Sequence, residues 1–433
     1  MKKNPIVFFA AVLLLFCSCQ KEEEELIDGK QIIELACPAE VEDWYFNKYQ
    51  ERSSDELINL FNGQSEKYII VKREYESCDK LLIDVMAGKE PDLLYVGDWL
   101  DMSALYSKGL LCDLYTLIDN DEDVSMDTYI EPVLKAFEVG GRLYQMPHDF
   151  AVQSAVVKDD IWGDDTDTSY EHIIEKAEEL GFEVPFDLSI NSYGFTSFAS
   201  SEFIDFENGT CSFDDGRFEK FIFVMKKYYD EYGSILENYP NGAYDLFKEN
   251  KVMMMYSEFA NTNQIEYLSA EFVAGEELRY IGFPSETSNY HIATPCVSFA
   301  IFESSEKKQA AFEFMKFYTD YGTYIYDTPR ADGVTQKGSL LPINKAVLDY
   351  YSEQSLNEDF NFYGFDDDTR KKYQDEMLEQ IYTINAANNY AGSTVKDILT
   401  EEITTYINGE KSVSEVCSII QNRVSTYLEE NYG

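Results

Sequence analysis

Between residues 31 and 96, short apolar runs alternate with amphipathic stretches, and this alternation constrains the fold more than any other feature of the chain. Gln31-Ile-Ile-Glu-Leu-Ala-Cys37 is an apolar run stopped by Pro38. Ser53-Ser-Asp-Glu56 carries the reciprocal capping pattern of a helix start, ahead of Leu57, Leu60 and Phe61, and Gly63 supplies the stop. Tyr68 to Tyr75 predicts a second strand, Asp79 to Ala87 a helix ended by Gly88, and Leu93 to Val96 a third, wholly apolar strand. Strand, helix, strand, helix, strand is the order of a parallel sheet with helical crossovers. The expected class is α/β, with mostly parallel sheets flanked by helices.

The pattern continues along the chain. Gly140 to Pro147 predicts a turn feeding a strand that the proline stops. Helices are expected at Tyr170 to Leu180, ended by Gly181, and at Phe218 to Tyr229. Lys251 to Tyr256 and Phe299 to Phe302 read as buried strands. From Ser304 a capped helix is expected, with Ala310, Ala311, Phe314, Met315 and Phe317 on one face, and from Gln374 to Tyr432 the chain is largely helical. Domains run to roughly 100–200 residues, so a chain of this length predicts two lobes. A hydrophobic content of 45% is enough to pack both.

The N-terminal residues predict the compartment. Lys2 and Lys3 precede an uncharged apolar run from Ile6 to Phe16. It is too short for a hydrocarbon core of roughly 30 Å and has the form of a secretory signal. The run ends in Phe16-Cys17-Ser18-Cys19, which resembles a bacterial lipobox, where a small residue precedes the lipidated cysteine. Ser18 meets that condition for Cys19, although Phe16 stands where leucine is usual. Residues 1–18 are expected to be a signal peptide, Cys19 the lipid-bearing residue, and residues 19–29 an acidic tether. The expected location is the extracytoplasmic face of the cell membrane, on the cell surface or in a periplasm. No later segment approaches 18 consecutive apolar residues.

With 81 acidic and 35 basic residues the net charge is −46, which repels phosphate backbones and excludes nucleic acid as a partner. Cys37, Cys78, Cys112, Cys211, Cys296 and Cys417 are scattered without metal-finger spacing, so disulfides and buried thiols both stay open.

Enzyme signatures are missing. His148, His172 and His291 form no HExxH pair, and no GxSxG elbow occurs. Gly333 to Gly338 has phosphate-loop spacing, but Ser339 stands where the lysine must be. Asp119, Asp121 and Asp123 alternate as in a calcium loop, with Val124 and Ile130 at the glycine and final acidic positions. A solvated loop is the better reading. No catalytic residue, cofactor or metal is therefore assigned, while a carboxylate pair about 5–9.5 Å apart, as glycoside hydrolysis requires, stays open.

Aromatic residues make up 15% of the chain. Sugars need flat apolar walls with polar groups beside them, and ligands of open α/β sheets collect at the carboxyl ends of strands. Three strand ends carry such mixtures: Glu42-Asp-Trp-Tyr45, Gly97-Asp-Trp99 and Tyr256-Ser-Glu-Phe259. The candidate ligand-binding residues are Trp44, Asp98, Trp99, Tyr256 and Glu258, together with His148 and Asp149. Ordinary packing is the competing reading for each.

Collinear stretches resemble the family-1 extracellular solute-binding proteins, the group of maltodextrin-binding and related sugar-binding proteins. Gly88-Lys-Glu-Pro-Asp-Leu-Leu-Tyr-Val96 is similar to that family's glycine, proline-aspartate and strand, and Leu105 to Leu117 to the segment after it. Leu143 to Pro147 with Val156 to Trp162, Phe247 to Tyr256, Ser298 to Tyr318 with Leu340 to Ile343, and the tail Glu401 to Glu430 continue the match. Asp159-Asp160 and Tyr170 depart from the family's usual asparagine turn and tryptophan. The resemblance implies two discontinuous lobes with crossings near Pro147, Thr294 and Gly338. Residues 30–147 with 294–337 would form one lobe, and 148–293 with 338–433 the other. It further implies a monomer that traps a mono- or oligosaccharide by hinge closure and presents it to the permease subunits of an ABC importer, with no reaction of its own. A binding protein for a polyamine or other small solute, and a surface lipoprotein enzyme acting on polysaccharide, are the alternatives.

Overall fold

A computed structural model describes residues 26–39, 54–97, 100, 102–187, 193–206, 208–236, 242–261, 264–273, 275–286, 290–320, 340–357, 361, 363–388 and 392–431. In its first half the strand Lys30–Pro38 lies between Tyr68–Tyr75 and Leu93–Val96, parallel to both. The helices Ser54–Gln64 and Cys78–Met86 make the crossovers. This is the arrangement the alternation predicts. Local signals agree: the Ser77 hydroxyl accepts the Lys80 N–H at the start of the second helix, and Gly88 leaves it with φ of 75°. All four residues of Leu93–Val96 are buried, as a strand covered on both faces requires.

Two long strands join this half to the next. Met146–Lys158 runs for 13 residues and Ile292–Ile301 for 10, every one of them buried, and they pair antiparallel. Beyond Phe150 the first pairs with Val252–Phe259, which lies parallel to Val184–Asp187. The end of the second pairs antiparallel with Leu93–Val96. A short strand, Leu341–Pro342, lies against Phe150 and Asp149. Three segments therefore run side by side at Phe150, with Pro295 on one flank and Leu341 on the other.

Pro147 does not stop its strand, contrary to the sequence expectation. The ladder steps from Pro295–Phe150 to Val297–Asp149 and then to Ser298–Pro147, so Cys296 on one strand and His148 on the other are skipped. Such bulges are where a sheet tolerates a residue without an N–H. The strand expected at Phe299 to Phe302 begins earlier, at Ile292, because Pro295 falls at the same irregularity. The helix expected to end at Tyr229 runs from Arg217 to Leu236.

One core runs from the first half of the sheet across Phe150 to the helix Asp367–Tyr382. A second gathers Phe186, Phe195, Phe198 and Phe221 with the helices Gly392–Ile407 and Val413–Asn431. The six cysteines are free thiols, all but Cys211 buried. In the acidic loop, Lys316 lies 2.8 Å from Asp121 and 3.4 Å from Asp123, where a cation had been considered. No helix among the described residues is long and apolar enough to cross a membrane.

Candidate ligand cleft

Strand alternation puts residues that stand directly opposite one another on the same face of the sheet. Glu258 stands opposite Gln153, and Tyr256 opposite Ala155. On the other flank Ile292 is opposite Gln153, and Thr294 opposite Ala151. Gln153, Tyr256, Glu258 and Thr294 thus share one face where the two long strands cross between the halves of the molecule. The Phe283 ring stacks on Tyr256 with centroids 6.0 Å apart and closes the core side of the site.

The polar groups of this face are incompletely matched. Gln153 donates through Nε2 to Glu258 Oε2 at 3.2 Å. Gln153 Oε1 and Thr294 Oγ1, and Ser298 Oγ further along the strand, have no hydrogen-bond partner among the described residues. These side chains are 1%, 8% and 0% exposed respectively. A buried polar group left unmatched costs about 1–3 kcal/mol, so three of them near one crossing point call for hydroxyls or water brought in from outside. Burial and then the Glu258 carboxylate push the Tyr256 phenol well above its ordinary range. Tyr244 is raised too, by burial first and then by Tyr267, Asp187 and Glu258. Both phenols therefore keep their protons, and the face offers aromatic surface, hydroxyl donors and carboxylate acceptors together.

Of the residues expected from sequence, Tyr256 and Glu258 come together here, the Glu258 carboxylate close enough to add to burial in raising the Tyr256 phenol. His148 and Asp149 are adjacent at the double bulge, their Nε2 and Oδ2 atoms 3.4 Å apart. His148 is 5% exposed, meets Tyr318 edge-on at 4.3 Å, and is held by burial at a pKa of about 3, so its ring is neutral. Trp44, Asp98, Trp99 and Cys19 lie outside the described residues. The strand Leu93–Val96, which leads to Asp98 and Trp99, does end beside the long strand bearing Ser298. Sequence reasoning missed Gln153, Thr294 and Tyr244. The one available signal was the polar pair Gln153-Ser154 interrupting an otherwise apolar run.

The fold is shared with solved structures. The sugar-binding protein MalE from Xanthomonas citri superposes with a TM-score of 0.61 at 14% identity, covering 92% of this chain and 98% of its own. A periplasmic oligogalacturonide binding protein from Yersinia enterocolitica gives 0.59 at 13%, covering 93% and 100%. A cyclic alpha-maltosyl-1,6-maltose binding protein from Arthrobacter globiformis gives 0.56 at 12%, again covering 93% and 100%. At such identities the likeness establishes the two-lobed binding-protein fold. No curated protein sequence matches the chain. Residues 56–349 match the family of bacterial extracellular solute-binding proteins, and with that span and this fold the chain belongs to it.

Proposed function

We propose that this protein is the carbohydrate-capturing subunit of an ABC importer, holding its ligand between the lobes and delivering it to membrane permease subunits. The observation that carries the reading is the face formed by Gln153, Tyr256, Glu258 and Thr294. Its stacking surface and unmatched polar atoms suit a polyhydroxylated ring better than an apolar or fully charged solute. Solved neighbours named for binding sugars or oligosaccharides support the same class. In this reading Trp44, Asp98 and Trp99 add ligand contacts, and His148 with Asp149 stiffen the bulged crossing behind the ligand. The lobes divide near Pro147, Thr294 and Gly338. The protein acts as a monomer, anchored through a lipid on Cys19, and releases its ligand unaltered.

A thermal-shift screen over neutral sugars, uronates, amino acids and polyamines tests the ligand class, followed by calorimetry on any hit. A sugar that raises the melting temperature and is recovered intact is the expected result. Stabilisation by amino acids or polyamines that is lost in Tyr256→Ala, with none by any sugar, would overturn the assignment, and turnover of the sugar would make the protein an enzyme. Membrane partition that persists in Cys19→Ser would remove the anchor from the proposal.

A further inference from the structure

Beside the short strand Leu278–Tyr280 lies a cavity that none of the cleft residues line. Ser257 lies between Tyr256 and Glu258 and points the other way, its hydroxyl 3.0 Å from that of Tyr280. Tyr280 and Ile281 belong to the lining of a cavity of about 780 Å³, which also includes residues of the helix Asp367–Tyr382 and of the 162–168 segment.

The charges in this cavity are unevenly matched. Arg279 is held by Asp159 at 2.5 Å, Lys371 by Asp375 at 3.1 Å and Lys372 by Glu277 at 2.5 Å. Asp165 is paired with Lys176 at 2.9 Å and hydrogen-bonded to the His172 ring at 2.6 Å. Glu376 forms no ion pair with any of these cations, and Arg279 and Lys372 act on it only from beyond 4 Å. Its Oε1 accepts the Tyr280 N–H at 2.8 Å, and burial drives its carboxyl up to about 7. One turn further along the helix, Gln380 is 7% exposed and its Oε1 has no hydrogen-bond partner among the described residues. The cavity wall thus offers a carboxyl lacking a close cation and a buried amide oxygen lacking a donor, four residues apart on one helical face.

We propose that this cavity is a second binding site, which takes a small organic ammonium ion. Its N–H groups bond the Glu376 carboxylate and the Gln380 amide oxygen, and its carbon chain lies along Trp162 and Ile281. An ammonium ion supplies both missing elements at once, positive charge for the carboxylate and donors for the amide oxygen. A neutral alcohol supplies only donors, and a carboxylic acid would add to the acidic excess. The inference is independent of the carbohydrate reading, because the cavity is lined by none of Gln153, Tyr256, Glu258 and Thr294.

The full-length protein is titrated with 4-amino-1-butanol and with 1,4-butanediol at matched ionic strength, followed by melting temperature and calorimetry. The amino alcohol is expected to bind and stabilise, and the diol to do neither. Glu376→Gln and Gln380→Met are each expected to weaken the amino alcohol by about tenfold or more, while Tyr256→Ala leaves its binding intact. Two variants guard against one that fails to fold. Equal binding of both compounds, an undiminished response in the two cavity variants, or a response lost in Tyr256→Ala would each overturn the site.

Discussion

In the proposed site Gln153 and Tyr256 do the same job by different chemistry: one would offer the ligand a buried amide oxygen without a partner, the other an aromatic ring. Removing the Tyr256 ring should cost about 1.5–3 kcal/mol of ligand affinity, the scale for burying a large side chain, or roughly ten- to a hundredfold. Calorimetry on folded Tyr256→Ala, with a sugar that binds the parent, measures it; full affinity would place the ligand elsewhere. Acid stability is a second test at this scale. Burial holds His148 and His291 below the usual 6.5, at about 3 and about 4. Each binds fewer protons folded than unfolded, so its contribution is complete above pH 6.5 and is lost as pH falls toward the folded value. Glu376 has the opposite sign: raised from 4.5 to about 7, it contributes below 4.5 and loses that contribution as pH climbs to 7. The unfolding free energy between pH 6.5 and 4.5, measured in urea, should therefore decline less steeply in His291→Asn than in the parent, by about 1 kcal/mol per pH unit. Parallel curves would contradict this. Tyr256 and Glu258 were legible in the sequence because they end an apolar strand. Gln153 and Thr294 were not, because their significance depends on which strands become neighbours.

Helices and strands in this chain are held in place by a few buried charges as well as by apolar packing. Arg370 is fully buried on the helix Asp367–Tyr382. Its guanidinium donates to the carbonyls of Ser355 at 2.6 Å and Leu356 at 3.0 Å, and lies 3.4 Å from Glu266. One side chain thus satisfies the open end of the helix Lys345–Ser355 and fixes two further helices to it. Arg370→Met strands the Glu266 carboxylate and should cost about 3 kcal/mol in urea unfolding. Adding Glu266→Gln should recover part of that loss, and an unchanged midpoint in the single variant would refute the role. At this scale the sequence was most readable where caps and glycines punctuate it, as in Tyr170–Leu180, whose bounds were found at both ends. It was least readable at Pro147 and Pro295. There a local rule for ending strands yields to two bulges that only the pairing of distant segments creates.

Two halves of one sheet are joined by long strands through Phe150 and Pro295 and by the short strand at Leu341. The order of elements gave away the class of fold early, because a parallel sheet with helical crossovers leaves few other architectures. The proposed crossings near Pro147, Thr294 and Gly338 came only through resemblance, since nothing local marks where a chain changes lobes. In this geometry a ligand touching both lobes lowers the energy of the closed form alone, so closure follows binding by population shift. The extent of that shift is set by the difference in ligand affinity between open and closed forms. Small-angle scattering of the full chain, with and without a saturating sugar identified by the thermal screen, tests this most directly. The account predicts a smaller radius of gyration with sugar, and for Tyr256→Ala the same contraction only at roughly ten- to a hundredfold higher sugar. An unaltered scattering curve at proven saturation would contradict it.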